Sequence, residues 1–169
     1  MTNSIAMRGV LVPVGILVLA FAVFLTAGDH QSLGPLDLAT AQWLVVGTWC
    51  VAPVFGGFAS RGLTGRELNR AATILGTTVG LVVALVFLTA AGTATSCPTG
   101  GGSSPLGYVG GCLVVGAIVG IGMGASLYLV ARLAGRSSWL PAIVLGSLVS
   151  FGTGWLAFVL YYANVSCLR

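Results

Sequence analysis

Charge is what this chain has least of. Of its 169 residues only 10 are Asp, Glu, Lys or Arg, 6% of the total, where a soluble globular domain carries roughly 25%. Ten charges cannot cover a water-soluble domain of this length and keep it dispersed. Lysine is missing altogether, and all seven basic residues are arginine. They stand singly between apolar stretches and form no basic face or stripe, so nucleic acid is not an expected partner. Histidine occurs once, as His30, and carboxylates three times, as Asp29, Asp37 and Glu67. One imidazole supplies neither a haem-ligand pair nor a metal cluster. The three carboxylates do not share one side of the topology derived below, which removes paired-carboxylate chemistry. A Gly-rich phosphate loop, a Ser/His/Asp set and a Cys-x-x-Cys pair are also missing. The nearest two cysteines, Cys97 and Cys112, are 15 residues apart. These absences point away from an enzyme, and nothing in the sequence asks for a cofactor or a metal.

What the chain does have is apolar length. Hydrophobic residues make up 57% and the mean hydropathy is +1.05, which excludes a disordered chain. The expected fold class is an all-α integral membrane protein, one transmembrane domain over 1–169. Crossing a bilayer takes about 20 apolar residues, and five stretches qualify: 9–27, 41–59, 71–91, 108–131 and 139–162. None contains an ionisable Asp, Glu, Lys, Arg or His. The first reads as an uncleaved span. It is longer than the ~7–15 residues of a signal-peptide apolar region, and no small-x-small cleavage site follows it.

The arginines then sort by side. Arg8 precedes the first span, Arg61, Arg66 and Arg70 lie between the second and third, and Arg132 and Arg136 between the fourth and fifth. Only Arg169 falls on the other side, with Asp29, His30 and Asp37. The positive-inside rule makes the first group cytoplasmic. It predicts a multi-pass protein of the cell (plasma) membrane with its N-terminus inside and its C-terminus outside. The same arginines are candidates to meet anionic lipid headgroups.

Local signals mark the helix starts. Thr64-Gly-Arg-Glu67 has capping-box spacing, so the third helix should begin in the cytoplasm, before its apolar stretch. Ser137 or Ser138 can cap the fifth, with Trp139 at the interface and Pro141 in the first turn. Pro13 and Pro53 lie inside spans, and Pro53 is expected to kink the second.

Sliding the chain by 70 positions aligns Leu63, Gly65, Arg66, Ala72, Leu75, Gly76 and Val79 with Leu133, Gly135, Arg136, Ala142, Leu145, Gly146 and Val149. Ser96-Cys97 falls on Ser166-Cys167, and residues 41–97 share 10 identities in 57 positions with 111–167. This suggests two parallel helical hairpins plus one leading helix, related by an axis along the membrane normal. Convergent hairpin chemistry in a Leu/Gly/Val-rich chain is the competing explanation.

Small residues recur four apart: Gly116, Gly120 and Gly124 in span four, Gly76, Gly80 and Ala84 in span three, Gly146, Ser150 and Gly154 in span five. In lipid such faces let backbones approach closely. They predict packing within one bundle, with contact to a second copy or another membrane protein, or a Gly-lined passage, as the sharper uses. Cys97 and Cys167 both fall on the outer side, where disulfides persist, and are the preferred pair, with Cys112 as competitor for Cys97. Cys50 is expected mid-bilayer as a free thiol. Two functional readings remain. The first is a non-catalytic accessory, partner-binding or assembly subunit of a membrane complex. The second is a small carrier or channel for an apolar or neutral solute, since no ionisable group stands ready for proton coupling.

Overall fold

The computed structural model describes residues 2–29, 38–90, 105–135 and 139–161. These form five helices: α1 (Thr2–Asp29), α2 (Leu38–Ala59), α3 (Gly65–Ala90), α4 (Pro105–Ala134) and α5 (Trp139–Leu160). The described residues contain no strand. Helix is what an apolar chain of this kind must form, because each backbone N–H and C=O is then satisfied within its own segment.

Three helices are long and apolar enough to cross a membrane: α3 over Gly65–Leu88, α4 over Tyr108–Ala134 and α5 over Trp139–Leu160. In α1 and α2 the apolar stretches among the described residues are Gly9–Ala20 and Val46–Ala59. Both helices run uninterrupted through their prolines. Pro13 and Pro53 are fully buried.

The capping residue of α3 stands where its spacing predicted. Thr64 directly precedes the helix, the Leu68 N–H bonds the Thr64 carbonyl at 2.9 Å, and the Thr64 hydroxyl donates to the Glu67 carboxylate at 3.1 Å. The two residues of the expected capping box thus meet side chain to side chain, not each on the other's backbone N–H. Between α2 and α3, Gly62 adopts φ 95°, a left-handed conformation that a β-carbon would strain.

At the centre lies α4, in contact with α2, α3 and α5. Its Cys112, Val115, Val119, Met123, Leu127 and Val130 are almost wholly buried. Over its apolar window α4 is 56% buried, against 33% for α3 and 17% for α5. Helix α1 lies against α2 and α3.

The two stretches that the 70-residue shift aligns are packed differently. Helices α4 and α5 touch along their length, whereas α2 and α3, among the described residues, do not pack on each other. The chain turn at 60–64 also falls, after a shift of 70, on residues still inside α4.

Register between helices shows where the arginines lie. Gly9 of α1 meets Ser60, Gly57 of α2 meets Val130, Ala72 of α3 meets Gly124, and Gly146 of α5 meets Ser126 and Val130. Sequence neighbours among the five helices are therefore antiparallel. The α2–α3 turn with Arg61, the first turns of α3 with Arg66 and Arg70, and the last turn of α4 with Arg132 share one end of the bundle. The start of α1, which carries Arg8, is at that end too. Arg136 lies outside the described residues.

Candidate functional site

The α3–α4 seam is where sequence and geometry meet most closely. Ala72, Gly76, Gly80 and Ala84 form one ridge of α3, four residues apart, and Gly116, Gly120 and Gly124 form the facing ridge of α4. A β-carbon on Gly76 would stand 2.6 Å from the Gly120 carbonyl oxygen, and one on Gly80 would stand 2.7 Å from that of Gly116. On Gly124 it would lie 2.7 Å from the Ala72 carbonyl, while on Gly116 or Gly120 it would collide with the Gly80 or Gly76 oxygen. Backbone rests on backbone, the contact that small residues permit between helices in lipid.

The remaining two expected packing glycines serve α5. Gly146 faces Val130 and Ser126 of α4, and Gly154 faces the Trp49 indole of α2. All seven are thus occupied inside the chain. The sequence reading missed Gly9, Gly56, Gly57 and Gly122, which are equally crowded by Ser60, Pro13 and Leu127, Val130, and Thr153 respectively. Their signal was weaker: Gly56-Gly57 is an adjacent pair, Gly9 is followed four residues on by Pro13, and Gly122 has only Ser126 four residues away.

Beside the seam the two helices part and leave a groove of about 960 Å³ that opens sideways out of the bundle. Its floor is Gly76, Gly80, Gly120 and Gly124, and its rims carry Asn69, Thr73 and Thr77 from α3 and Ala117, Ile121 and Ala125 from α4. The Thr73 and Thr77 hydroxyls bond back to the Asn69 and Thr73 carbonyls, both at 2.9 Å. At the arginine end Tyr128 lines the groove. The Arg132 Nε donates to its hydroxyl at 3.1 Å, and the guanidinium carbon lies 5.4 Å from its ring centroid. Arg61, Arg66, Arg70 and Arg132 are all solvent- or headgroup-accessible.

Aromatic residues close the opposite end. The Tyr108 hydroxyl donates to the Phe87 carbonyl at 2.7 Å and lies 3.5 Å from the Tyr161 hydroxyl. The Phe87 and Tyr161 rings are 4.2 Å apart and tilted by 34°. This contact joins the ends of α3 and α5. Cys97 and Cys167 lie outside the described residues. Cys50 and Cys112 are free thiols, Cys112 fully buried in α4.

Deeper in the bundle a second hydroxyl links helices: Ser126 of α4 donates to the Gly146 carbonyl of α5 at 2.7 Å. Thr153 bonds back to the Val149 carbonyl of its own helix. Three buried polar atoms, Trp49 Nε1, Ser60 Oγ and Ser150 Oγ, have no hydrogen-bond partner among the described residues. His30 and Asp37 lie outside the described residues, among which no three His, Cys, Asp or Glu side chains gather. No known family model matches this chain, and no curated protein or solved structure is detectably similar to it.

Proposed function

We propose that this chain is a non-catalytic, multi-pass protein of the cell membrane that serves as an accessory or assembly subunit. In this reading all five helices span, the arginine end faces the cytoplasm, and the C-terminus lies outside. The observation that supports it is the closed α3–α4 seam. The glycines that could have lined a passage hold Gly76 against Gly120 and Gly80 against Gly116 instead. Pro53, where an unwound segment could have bound an ion, is fully buried inside a continuous helix. What is left for interaction is the outer surface, where α5 alone exposes Trp139, Leu148, Phe151, Trp155 and Phe158. In lipid these side chains are at no disadvantage and are available to a neighbouring helix. Purification of the tagged chain in mild detergent should yield a membrane-protein partner in fixed stoichiometry. Recovery of the chain alone, under conditions that preserve known complexes of the same membrane, rejects the accessory role.

A second reading is favoured by one feature. The sideways-open groove beside the seam suits a small carrier handling an apolar or neutral, lipid-like solute. Protein-dependent movement of such a solute between vesicle leaflets would support it. Unchanged rates after reconstitution would remove it.

A further inference from the structure

The α3–α4 groove joins two properties that the accessory reading does not use: an apolar trough and a cationic mouth. Along α3 its lining runs from Asn69 to Ala84, about 22 Å of helix. Half of a bilayer's hydrocarbon core is about 15 Å. The trough is therefore long enough to hold an acyl chain through one whole leaflet. Its volume, about 960 Å³, lies at the upper end of small-molecule sites.

The mouth is positive, because at this end arginines outnumber carboxylates among the described residues. Arg132 follows the lining residue Tyr128 by about one turn of α4, next to the arginine-side end of the groove. Its guanidinium is held on Tyr128, itself a lining residue. Arg70 and Arg66 precede Thr77 and Thr73 by seven residues, two turns, on the rim side of α3. The sequence has only three carboxylates. Asp29 ends α1 at the far end of the bundle, Asp37 precedes α2, and Glu67 takes the Thr64 hydroxyl. Among the described residues Glu67 is the one carboxylate at this end and keeps its charge, but Arg61, Arg66, Arg70 and Arg132 outnumber it, so the mouth carries a net positive charge for an anion to meet.

We propose that this groove is a binding site for one anionic phospholipid of the arginine-side leaflet. An acyl chain lies along Gly76, Gly80, Gly120 and Gly124, and the phosphate is met by Arg132 and Arg70 with the Asn69 amide. An amphiphile with negative charge at one end and a hydrocarbon tail complements both halves of the site. A partner helix would fill the trough but would also need an acidic group at the mouth. The proposal rests on the membrane reading and is independent of any partner subunit.

Native mass spectrometry of the intact chain in detergent, titrated with phosphatidylglycerol or phosphatidylcholine, tests it. One phosphatidylglycerol should bind in preference to phosphatidylcholine. R132Q should weaken phosphatidylglycerol about fivefold and R132Q/R70Q about twenty-five-fold, the effect of one and two arginines at an anionic surface. R61Q, the same charge change in the α2–α3 turn, should stay within about twofold, because the end of α2 packs on Val130 of α4 and no residue of α2 or its turn lines the groove. Ala117→Phe fills the groove from an exposed rim position with the charges intact, and should abolish the bound lipid. Equal binding of the two lipids, an R61Q effect equal to that of R132Q, or lipid retained by Ala117→Phe would overturn the proposal. So would an A117C chain that cross-links to a second copy through the groove. Failure to recover a partner subunit leaves these results standing, so the two readings fail separately.

Discussion

At Gly76 one methyl group decides how near α3 can lie to α4. Its β-carbon would meet the Gly120 carbonyl at 2.6 Å, and a backbone oxygen cannot rotate away as a side-chain tip can. Gly76→Ala should therefore destabilise the bundle by about 1–3 kcal/mol, the usual cost of overpacking, seen as a lower Tm in detergent. Gly152→Ala is the contrasting case. It lies in α5 with open space around it, and should be neutral or stabilising by up to about 1 kcal/mol through helix propensity. If the two variants melt alike, the seam is not packed as described. Ser126→Ala removes the hydroxyl bond to the Gly146 carbonyl, and the expected loss is smaller, about 0.6 kcal/mol for an interhelical hydrogen bond in lipid. The glycine stripes were legible before any coordinates, because a spacing of four fixes a helix face. Gly57 and Gly122 were not, since only the facing Val130 and Thr153 show that their faces are crowded.

Among the elements, α3 has the clearest beginning. Thr64 precedes the helix and its hydroxyl bonds the Glu67 side chain, and Thr64→Ala should cost about 0.5–1 kcal/mol. Hydrogen exchange should then speed up in the first turn of α3 with the seam unchanged; uniform acceleration would mean that the cap stabilises more than its own helix. The ends of α3 and α5 are joined by the Phe87–Tyr161 contact. Cys97 follows the first of these residues by 10 positions and Cys167 follows the second by six. A disulfide between them is the sequence-based expectation, and Cys50 and Cys112 are free. Alkylation of denatured, unreduced protein should modify two thiols, and four after reduction. Modification of all four before reduction disproves the bridge. Sequence spacing also suggested two similar hairpins, but α4–α5 contact without α2–α3 contact is not visible in identities along a chain. Which helix fills a space depends on all five, and α1 lies against both α2 and α3.

For the whole molecule the governing feature is the segregation of charge. Arg61, Arg66, Arg70, Arg132 and the start of α1 share one end, and the Tyr108, Phe87 and Tyr161 cluster marks the other. If the arginine end is cytoplasmic, an engineered thiol at Ser103 should react with an impermeant reagent in whole cells and one at Thr64 should not. The opposite pattern would invert the molecule in the membrane. The aromatic end would then face the cytoplasm, contrary to the positive-inside rule.

Composition by itself determined the solvent. With 10 charges in 169 residues and none within the apolar stretches, the chain has to meet lipid, and lipid obliges it to be helical. The spacing of the arginines likewise assigned six of the seven to one end, since an antiparallel run of helices brings alternate loops together. Tertiary structure decided what those helices do to one another. In lipid the hydrophobic effect does not choose between apolar faces, so pairing rests on close fit. Only the assembled bundle shows that Gly76 and Gly80 meet Gly120 and Gly116, that α4 is the hub, and that a groove runs beside the seam with Tyr128 at its arginine end.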